Sequence, residues 1–356
     1  MPTMQIQGYN IHYELQGPEC GISLVFLNGL TQYSSLWTYY ANHFVARGFR
    51  VLSFDMLGQG QSDKPILSIG LDDHQELLKT LTEQVGMERF YLVGISYGGV
   101  VAQRFAIAYP ERLRGLAPMS TFSEMSAQLK HFGALMYEGL TRLGLPFLQS
   151  MLFPLNLSSE WLEKNEAHLA EMKRKGYIIN DLYAMQNLCE SFAAFEPFTG
   201  QLHRITCPTL ILNGEYDFLT SRPLHDIMRR HINDSRLVVI QHAYHAFTLE
   251  YPEITTRLLD DFIQMVEQGS WWGKQTCWIA ADDPQAPISM QRCTGDITRA
   301  VPLATLVSPE ADPEAPSVVS TTGNSSVIAE TSPPGKPPAK VKPAAKSRQR
   351  RHRADS

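Results

Sequence analysis

Short apolar runs alternate with longer amphipathic stretches along most of the chain. The runs are rich in Val, Leu, Ile and Phe and are bounded by turn residues, as expected of buried strands. Strands are predicted over residues 23–27, 50–54, 90–93, 113–119, 209–212 and 236–240. Helices, in which apolar residues recur every three or four positions, are predicted over residues 36–47, 72–85, 100–109, 222–232 and 251–266.

This alternation predicts an α/β fold with a mostly parallel central sheet and helices on both of its faces. Each parallel strand needs a crossover to reach the next one, and the amphipathic stretches supply these crossovers. A hairpin over residues 4–7 and 10–16, turning at Gly8-Tyr9, is predicted to precede the parallel strands.

One long insertion divides the predicted core into residues 1–121 and 199–268. The stretch between them, 122–198, is rich in Leu, Met, Phe and Tyr and is predicted to be helical. It begins just after a predicted strand. Because insertions at the carboxyl end of a strand lie over the ligand crevice of a parallel sheet, this one is expected to form a lid.

The composition changes after the last predicted helix. Residues 269–301 contain Trp271, Trp272 and Trp278 and are too apolar for a simple linker. They are expected either to pack against the last helix or to form a docking surface for a partner or a second copy. Residues 302–356 contain nine prolines and little periodicity, which predicts a disordered tail.

The charge of the chain is unevenly distributed. The net charge is −5, but residues 336–356 hold eight Lys or Arg and one acid, which leaves −12 for the rest. An acidic body argues against nucleic acid as the substrate of the folded part. The basic tail is expected to be a solubilising extension or to contact an anionic surface, such as nucleic acid or a membrane.

Composition indicates a soluble, cytoplasmic protein. The 356 residues are 44% hydrophobic and 19% charged, and no apolar run is long enough for a membrane helix. The N-terminus has no basic segment followed by an apolar stretch, as a signal peptide would. Five scattered cysteines without CxxC spacing fit a reducing compartment better than a disulfide framework.

The sequence Gly94-Ile95-Ser96-Tyr97-Gly98 follows a predicted strand directly and precedes a predicted helix. It is a G-x-S-x-G turn in the context of a nucleophile elbow. A strand that reverses into a helix over one residue leaves Ser96 strained and requires glycine on both sides. The hydroxyl then stands clear of the backbone, so Ser96 is the candidate nucleophile for acyl chemistry.

A serine nucleophile needs an imidazole base, and the base needs a carboxylate to orient it. Asp217 and His245 each follow a predicted strand after Ser96, in the order Ser, Asp, His, and are expected at the same sheet edge. Their competitors are Glu215 for the acid and His242 for the base. His245 is favoured because the residues after it lead into the last helix. The other histidines are assigned to solvated or packing roles.

The chain resembles proteins of the α/β-hydrolase fold over about three quarters of its length. Besides the elbow, residues 55–62 match the D-x-x-G-x-G-x-S turn of that family, and residues 207–217 match its acid-bearing segment. The resemblance implies that Asp55 holds the turn rather than acting in catalysis. It also implies that the backbone amides of Leu30 and Tyr97 form the oxyanion hole.

One residue departs from the family pattern. The family usually has His-Gly after its third strand, whereas this chain has Asn28-Gly29-Leu30. The change leaves the backbone amide of Leu30 in place. Asn28 is expected either to stabilise the turn locally or to contact the substrate.

The resemblance implies a serine hydrolase whose substrate is a small-molecule ester or thioester. No metal or organic cofactor is expected, because no HExxH, zinc-cysteine set or P-loop occurs. Apolar residues of the predicted lid are expected either to bind an apolar acyl chain or to form the core of the lid itself. These residues are Phe122, Met125, Leu129, Leu135, Met136 and Tyr137.

Two alternatives remain open. Asn-Gly in place of His-Gly, together with an apolar lid, is also similar to acyltransferases of this fold that use 3-hydroxyacyl carrier-protein thioesters. Such enzymes act in making hydroxyalkanoate polymers or rhamnolipid precursors. The other alternative is a non-catalytic binding protein on a hydrolase fold that uses its Trp-containing extension and basic tail. Retention of all three triad residue types argues against it.

Overall fold

The computed structural model describes residues 2–66 and 69–281. The strands in this part of the chain are β1 (Thr3–Ile6), β2 (Tyr9–Gln16), β3 (Ser23–Leu27), β4 (Arg50–Phe54), β5 (Phe90–Ile95), β6 (Leu113–Met119), β7 (Thr209–Gly214), β8 (Ser235–Ile240) and β9 (Thr276–Ala280). The helices are α1 (Thr38–Ala46), α2 (Leu71–Gln84), α3 (Tyr97–Ala108), α4 (Ala127–Asn156), α5 (Ser159–Lys164), α6 (Glu166–Ile179), α7 (Leu182–Ala193), α8 (Arg222–His231), α9 (Phe247–Glu250) and α10 (Pro252–Glu267).

The strands form one sheet in the order β1-β2-β4-β3-β5-β6-β7-β8-β9. β1 pairs antiparallel with β2, and β2 pairs antiparallel with β4. All other neighbours are parallel. The prediction of a mostly parallel sheet is confirmed, and the carboxyl ends of β3 to β8 lie at one edge.

The hairpin turn lies one residue earlier than the sequence suggested. Ile6 pairs with Tyr9, so the turn residues are Gln7 and Gly8, and both have positive φ, 52° and 89°. A two-residue turn of this kind matches the right-handed twist of the flanking strands. Gly8 is therefore the second residue of the turn, the position at which type I′ hairpin turns prefer glycine.

Two apolar layers cover the two faces of the sheet. Alternate strand residues point to opposite faces, so Val25 and Leu27 join one buried layer while Leu24 and Phe26 join the other. Helices α2, α3 and α8 pack on the first face, and α1 and α10 pack on the second. The prediction of helices on both faces is confirmed.

The insertion between β6 and β7 consists of α4 to α7. Helix α4 is interrupted at Gly144, where φ is 78°, so two helical segments meet there at a kink. Leu140, Leu148, Met185 and Leu188 are buried in the same apolar layer as α2 and α3. The helical character predicted for this stretch is present. Many of its apolar side chains are part of the main core, whereas Leu135 and Leu143 are exposed.

The Trp-containing extension supplies a strand that the sequence pattern did not predict. β9 pairs in parallel with β8 along its whole length. Trp271 packs against Phe262 of α10 with ring centroids 4.7 Å apart. The Arg236 guanidinium of β8 lies 4.2 Å from the Trp278 ring and 4.5 Å from the Trp271 ring. The tail predicted over residues 302–356 lies outside the described residues.

Candidate active site

Ser96 lies on a sharp turn between β5 and α3. Its φ of 52° and ψ of −115° are seldom adopted by residues that carry a side chain. A Cβ atom at Gly94 would lie 2.4 Å from the carbonyl oxygen of Gly98, and one at Gly98 would lie 2.5 Å from that of Asn28. The turn therefore excludes side chains at both flanking positions. Strain of about 1–3 kcal/mol at Ser96 is held by the strand and the helix on either side.

Asp217 and His245 follow β7 and β8 and form a buried hydrogen-bonded pair. Nδ1 of His245 lies 2.9 Å from Oδ2 of Asp217. Burial acts to raise the pKa of Asp217. The charge and hydrogen bond of His245, together with the charge of His225 and the Thr220 N–H bond, outweigh burial, so this pKa lies below its usual value. An ionised Asp217 fixes the proton of the neutral imidazole on Nδ1 and leaves Nε2 able to accept one.

Two further residues hold the Asp217 carboxylate in one orientation. The Thr220 N–H donates to Oδ1 at 2.9 Å, and the Thr220 hydroxyl donates to Oδ2 at 2.8 Å. The side-chain amide of Asn213 lies 3.3 Å from Oδ2. Both residues are buried. No motif in the sequence marked them, because their role depends on the folded loop after β7.

The loop after β6 connects the candidate nucleophile to the candidate base. The Ser120 hydroxyl donates to the His245 carbonyl at 2.9 Å, and the Thr121 hydroxyl donates to the Ser96 carbonyl at 2.8 Å. The Thr121 N–H in turn donates to Nε2 of His225 at 3.0 Å. Burial lowers the pKa of His225 to about 4, so its ring stays neutral and keeps this acceptor. The packing role predicted for His225 therefore includes supporting this loop.

Glu215 and His242, the competing acid and base, contact each other, and His242 also contacts Tyr216. Oε2 of Glu215 accepts the His242 N–H at 2.9 Å. The His242 ring stacks on Tyr216 with centroids 6.1 Å apart. Of the two histidines, His245 is the one whose ring meets the Asp217 carboxylate.

Asp55 is fully buried and accepts hydrogen bonds from the turn that follows β4. Its carboxylate accepts the N–H of Ser34 at 2.5 Å and the N–H of Gln61 at 2.7 Å. Its backbone carbonyl accepts the hydroxyl of Ser62. These bonds match the turn-holding role that the family resemblance implies for this residue.

Leu30 and Tyr97 lie just beyond the carboxyl ends of the adjacent strands β3 and β5. Their backbone amides are the expected oxyanion donors. Tyr97 is the first residue of α3, and the N–H of a first helical residue has no acceptor within the helix. Leu30 lies in a four-residue turn that is closed by a hydrogen bond from Gln32 N–H to the Gly29 carbonyl at 3.1 Å. The third residue of this turn, Thr31, has a φ of 68°.

Asn28 follows β3 directly, and its side chain forms hydrogen bonds with the protein itself. Its side chain is fully buried. Nδ2 donates to the Phe54 carbonyl at 3.0 Å, and Oδ1 accepts the Trp37 indole N–H at 2.8 Å. Both polar ends of the amide therefore bind the protein itself, which supports the local stabilising role, and the substrate contact stays a prediction.

Backbone strain is concentrated around these loops. Seven non-glycine residues of the described ranges have positive φ, and four of them follow strands at this edge of the sheet. The four are Thr31, Ser96, Ser120 and His242. Strained backbone of this kind persists only where the surroundings enforce it, and it clusters at functional sites. This edge of the sheet is therefore the candidate active site.

Residues 22–252 match the model of a protein family described by its alpha/beta hydrolase fold. The chain belongs to this family. The matched residues run from the start of β3 to the start of α10 and include Ser96, Asp217 and His245. Hydrolase activity follows as the expected general activity of the chain, whereas the substrate has to be argued separately.

Proteins named for three different activities align with most of the chain. A proline iminopeptidase of Saccharolobus solfataricus is 28% identical over 74% of this chain and 91% of its own length. A 3-oxoadipate enol-lactonase of Acinetobacter baylyi is 26% identical over 70% of this chain and 92% of its own. Human epoxide hydrolase 4 is 23% identical over 72% and 76%. This diversity shows that family membership alone does not fix the substrate.

Solved structures of other family members share the fold. An enol-lactonase of Burkholderia xenovorans superposes with a TM-score of 0.69 at 20% identity, covering 74% of this chain and all of its own. MGS-M2, an α/β-hydrolase enzyme from a Medee basin deep-sea metagenome library, gives a TM-score of 0.67 at 27% identity over 74% and 97%.

The two insertion residues expected to touch substrate differ in burial. Phe122 is 4% exposed and packs against Phe192 and Phe195, with ring centroids 5.9 and 5.4 Å away. Met125 is partly buried and packs against the same apolar layer. Phe122 therefore belongs to the core of the insertion, which was the alternative to a substrate contact. The expected contact of Met125 stays a prediction.

Residues 2–66 and 69–281 contain neither a membrane-spanning helix nor a metal-binding cluster. None of the helices in these ranges is both long and apolar enough to cross a bilayer. No cluster of three or more His, Cys, Asp or Glu side chains there is arranged to hold a metal ion.

Proposed function

We propose that this α/β-hydrolase is a serine hydrolase of carboxylic esters or thioesters. Ser96 is the nucleophile, His245 the general base and Asp217 the acid that orients the base. The observation that carries the proposal is the 2.9 Å contact between His245 Nδ1 and an ionised Asp217 at the sheet edge where the Ser96 elbow lies.

The proposed reaction has two steps. The Ser96 hydroxyl attacks the acyl carbon while its proton passes to Nε2 of His245, and the alkoxide or thiolate leaves with that proton. A water molecule then attacks the acyl carbon and gives a proton to His245. His245 passes that proton to the Ser96 oxygen as the bond between this oxygen and the acyl carbon breaks, which releases the carboxylic acid and restores the Ser96 hydroxyl and the neutral imidazole. Asp217 stays ionised throughout and stabilises the charged imidazole.

The backbone amides of Leu30 and Tyr97 are proposed to bind the oxyanion formed in each step. The N–H of Tyr97 is at the start of α3, where the helix dipole also favours negative charge. Removing one such donor typically raises a barrier by roughly 3–4 kcal/mol.

Helices α4 to α7 are proposed to form the lid over this site. The insertion follows the carboxyl end of β6, and the apolar residues Phe122 and Met125 lie near its start. Together with the partly buried Met125, this favours a small-molecule substrate with an apolar acyl chain. The relationship to an enol-lactonase is consistent with ester chemistry, because a lactone is a cyclic ester.

Steady-state turnover tests this proposal. Purified protein and the Ser96→Ala variant are incubated with p-nitrophenyl esters and acyl thioesters of increasing chain length, with and without a hydroxy-acid acceptor. We expect hydrolysis without acceptor, with a kcat at least about 10³-fold lower in the variant.

Other outcomes separate the alternatives. Product formed only with acceptor present would replace hydrolysis by acyl transfer, with the same nucleophile. Equal turnover by the two proteins would contradict the assignment of Ser96 as the nucleophile. Turnover no faster than the uncatalysed reaction in both would contradict both enzymatic functions and favour a binding protein on a hydrolase fold.

A further inference from the structure

The turn that carries Leu30 is held in a strained conformation. It spans Gly29 to Gln32 and is closed by the hydrogen bond from Gln32 N–H to Gly29 O. A positive φ at the third residue is the hallmark of a type II turn, where glycine is the usual residue. Here the third residue is Thr31, with φ at 68°, and its branched side chain strongly disfavours that conformation. Other contacts must therefore hold the turn.

Three side-chain amides hold it. Oε1 of Gln32 accepts the Gly29 N–H at 2.8 Å, and Nε2 of Gln59 donates to the Gly29 carbonyl at 2.9 Å. The third amide belongs to Asn180, whose Nδ2 donates to the Thr31 carbonyl at 2.9 Å. Gln32 and Gln59 belong to the core, whereas Asn180 ends α6 in the insertion and lies 149 residues away in the chain.

Both hydrogens of the Asn180 amide are used. Besides Thr31, Nδ2 donates to the Gly176 carbonyl in the last turn of α6, also at 2.9 Å. Asn180 is 5% exposed, so bulk water does not compete for these bonds. The side chain thus connects the end of one insertion helix to the strained residue beside Leu30.

We propose that Asn180 is a positioning residue for the oxyanion-binding turn, so that the insertion takes part in catalysis besides covering the site. This inference rests on the proposed serine-hydrolase function. Without the Asn180 bond, Thr31 can relax towards negative φ. This change rotates the peptide between Leu30 and Thr31, which adjoins the peptide that carries the Leu30 N–H. The donor is then misaligned with the developing oxyanion, although Ser96, His245 and the substrate pocket keep their places.

Asn187 provides a matched control. It also lies in the insertion, on α7, and its Nδ2 also donates to core carbonyls, those of Pro65 at 3.2 Å and Ile66 at 3.1 Å. Those carbonyls are not part of the turn at Gly29–Gln32. Asn187→Ala therefore removes a similar bridge between insertion and core without touching the proposed oxyanion donors.

The first test compares Asn180→Ala with Asn187→Ala on a p-nitrophenyl ester and on a trifluoromethyl ketone, which forms a tetrahedral adduct with the serine. We expect Asn180→Ala to lower kcat about 10- to 100-fold, to weaken ketone binding in parallel and to change KM less than twofold. Asn187→Ala is expected to change all three less than twofold. An equal effect of the two variants, or a loss confined to KM, would overturn the inference.

A second test separates positioning by Asn180 from a general loss of stability in Asn180→Ala. Thr31→Gly removes the conformational strain that Asn180 is proposed to hold, because glycine adopts positive φ readily. The kcat loss caused by Asn180→Ala should then be at least fivefold smaller in the Thr31→Gly background. The same loss in both backgrounds would refute the positioning role.

Different results would contradict the serine-hydrolase function and the positioning role of Asn180. If the unmodified protein neither turns over esters nor reacts with a serine-directed fluorophosphonate, the serine-hydrolase function fails and this inference with it. If the unmodified protein is active and the Asn180 variants behave like the Asn187 control, only the positioning role is wrong.

Discussion

Gly94 and Gly98 face main-chain oxygen atoms, which cannot move aside as the end of a flexible side chain can. The Gly98 position is enclosed by the carbonyls of Leu27 and Asn28 at the end of β3, each within 2.6 Å of where a Cβ would stand. The elbow geometry of Ser96 therefore depends on glycine for steric reasons. The conformational freedom of glycine is secondary at these two positions, because neither has positive φ.

Gly98→Ala should consequently push β3 away from α3 and disturb both Ser96 and the turn at Leu30. We expect a loss of about 2 kcal/mol or more in the free energy of unfolding and at least 100-fold in kcat. Gly133→Ala in α4 is the matched control, because its Cβ would meet nothing within 4 Å. Chemical denaturation and ester turnover measure the two effects. Equal behaviour of the two variants would contradict the steric explanation.

The sequence could predict the candidate triad residues but not the residues that support them. Ser96, Asp217 and His245 were found because each follows a strand, and the carboxyl ends of parallel strands share one edge. His225 and Asn180 were not found, because their partners Thr121 and Thr31 lie 104 and 149 residues away. No local pattern encodes such pairs, which arise only when distant loops meet.

At the scale of elements, the end of α4 is attached to the loop that carries His245. The Ala246 N–H donates to the Asn156 carbonyl at 3.0 Å, and the Trp161 indole donates to the Leu249 carbonyl at 3.1 Å. The Glu250 carboxylate accepts the backbone N–H of Ser158 and, at 2.9 Å, that of Tyr244. The insertion thus contacts the base loop as well as the turn at Leu30.

Glu250→Gln should loosen this attachment, because a carboxamide has one acceptor atom where the carboxylate has two. One part-buried N–H then loses its acceptor, at a cost of about 1 kcal/mol. We expect kcat to fall roughly tenfold and protease cleavage within the insertion to accelerate. Glu163→Gln on α5 makes the same charge change at an exposed position. If both variants match the unmodified protein, the insertion does not constrain the base loop.

The overall order of elements was predictable, whereas β9 was not. Strands β3 to β8 alternate with helices and were recognised by that alternation. β9 follows Trp271, Trp272 and a short loop, and only five residues pair with β8. Its place depends on burial of Cys277 and Ile279 and on the Arg236 guanidinium against the Trp278 ring. These are tertiary contacts that a five-residue pattern cannot specify.

At the scale of the whole molecule, β9 completes the sheet next to β8. Deleting residues 271–356 should expose the β8 edge and lose at least the roughly 1.5–3 kcal/mol that burial of Ile279 supplies. We expect a markedly lower Tm and aggregation on heating. Deleting only residues 302–356 is expected to leave Tm and ester turnover unchanged. A loss of activity in the shorter deletion would contradict the prediction of a dispensable tail.

Buried histidines make the stability of the whole molecule depend on pH. Burial lowers the pKa of His74 from 6.5 to about 4, so between these values the unfolded chain binds a proton that the folded chain does not. The stabilising effect of the neutral ring is complete above pH 6.5 and is lost as the pH falls to about 4. Each such residue contributes up to about 3 kcal/mol to this change.

His74→Phe should therefore reduce the pH dependence of stability. We expect the free energy of unfolding to fall between pH 7.5 and 4.5 by about 2–3 kcal/mol less in the variant than in the unmodified protein. His225 accounts for part of the pH dependence that remains in the variant, because burial also lowers the pKa of His225 to about 4. Urea unfolding at a series of pH values measures the difference. Identical slopes would show that His74 titrates in the folded protein as it does when exposed.

Mass spectrometry of the protein after reaction with a fluorophosphonate tests the central claim most directly. The account predicts one adduct, located on the Ser96 peptide, whose formation slows at least about 100-fold in His245→Ala and in Asp217→Asn. A protein that stays unlabelled, or that carries its adduct on another residue, would contradict the assignment of Ser96 as the nucleophile.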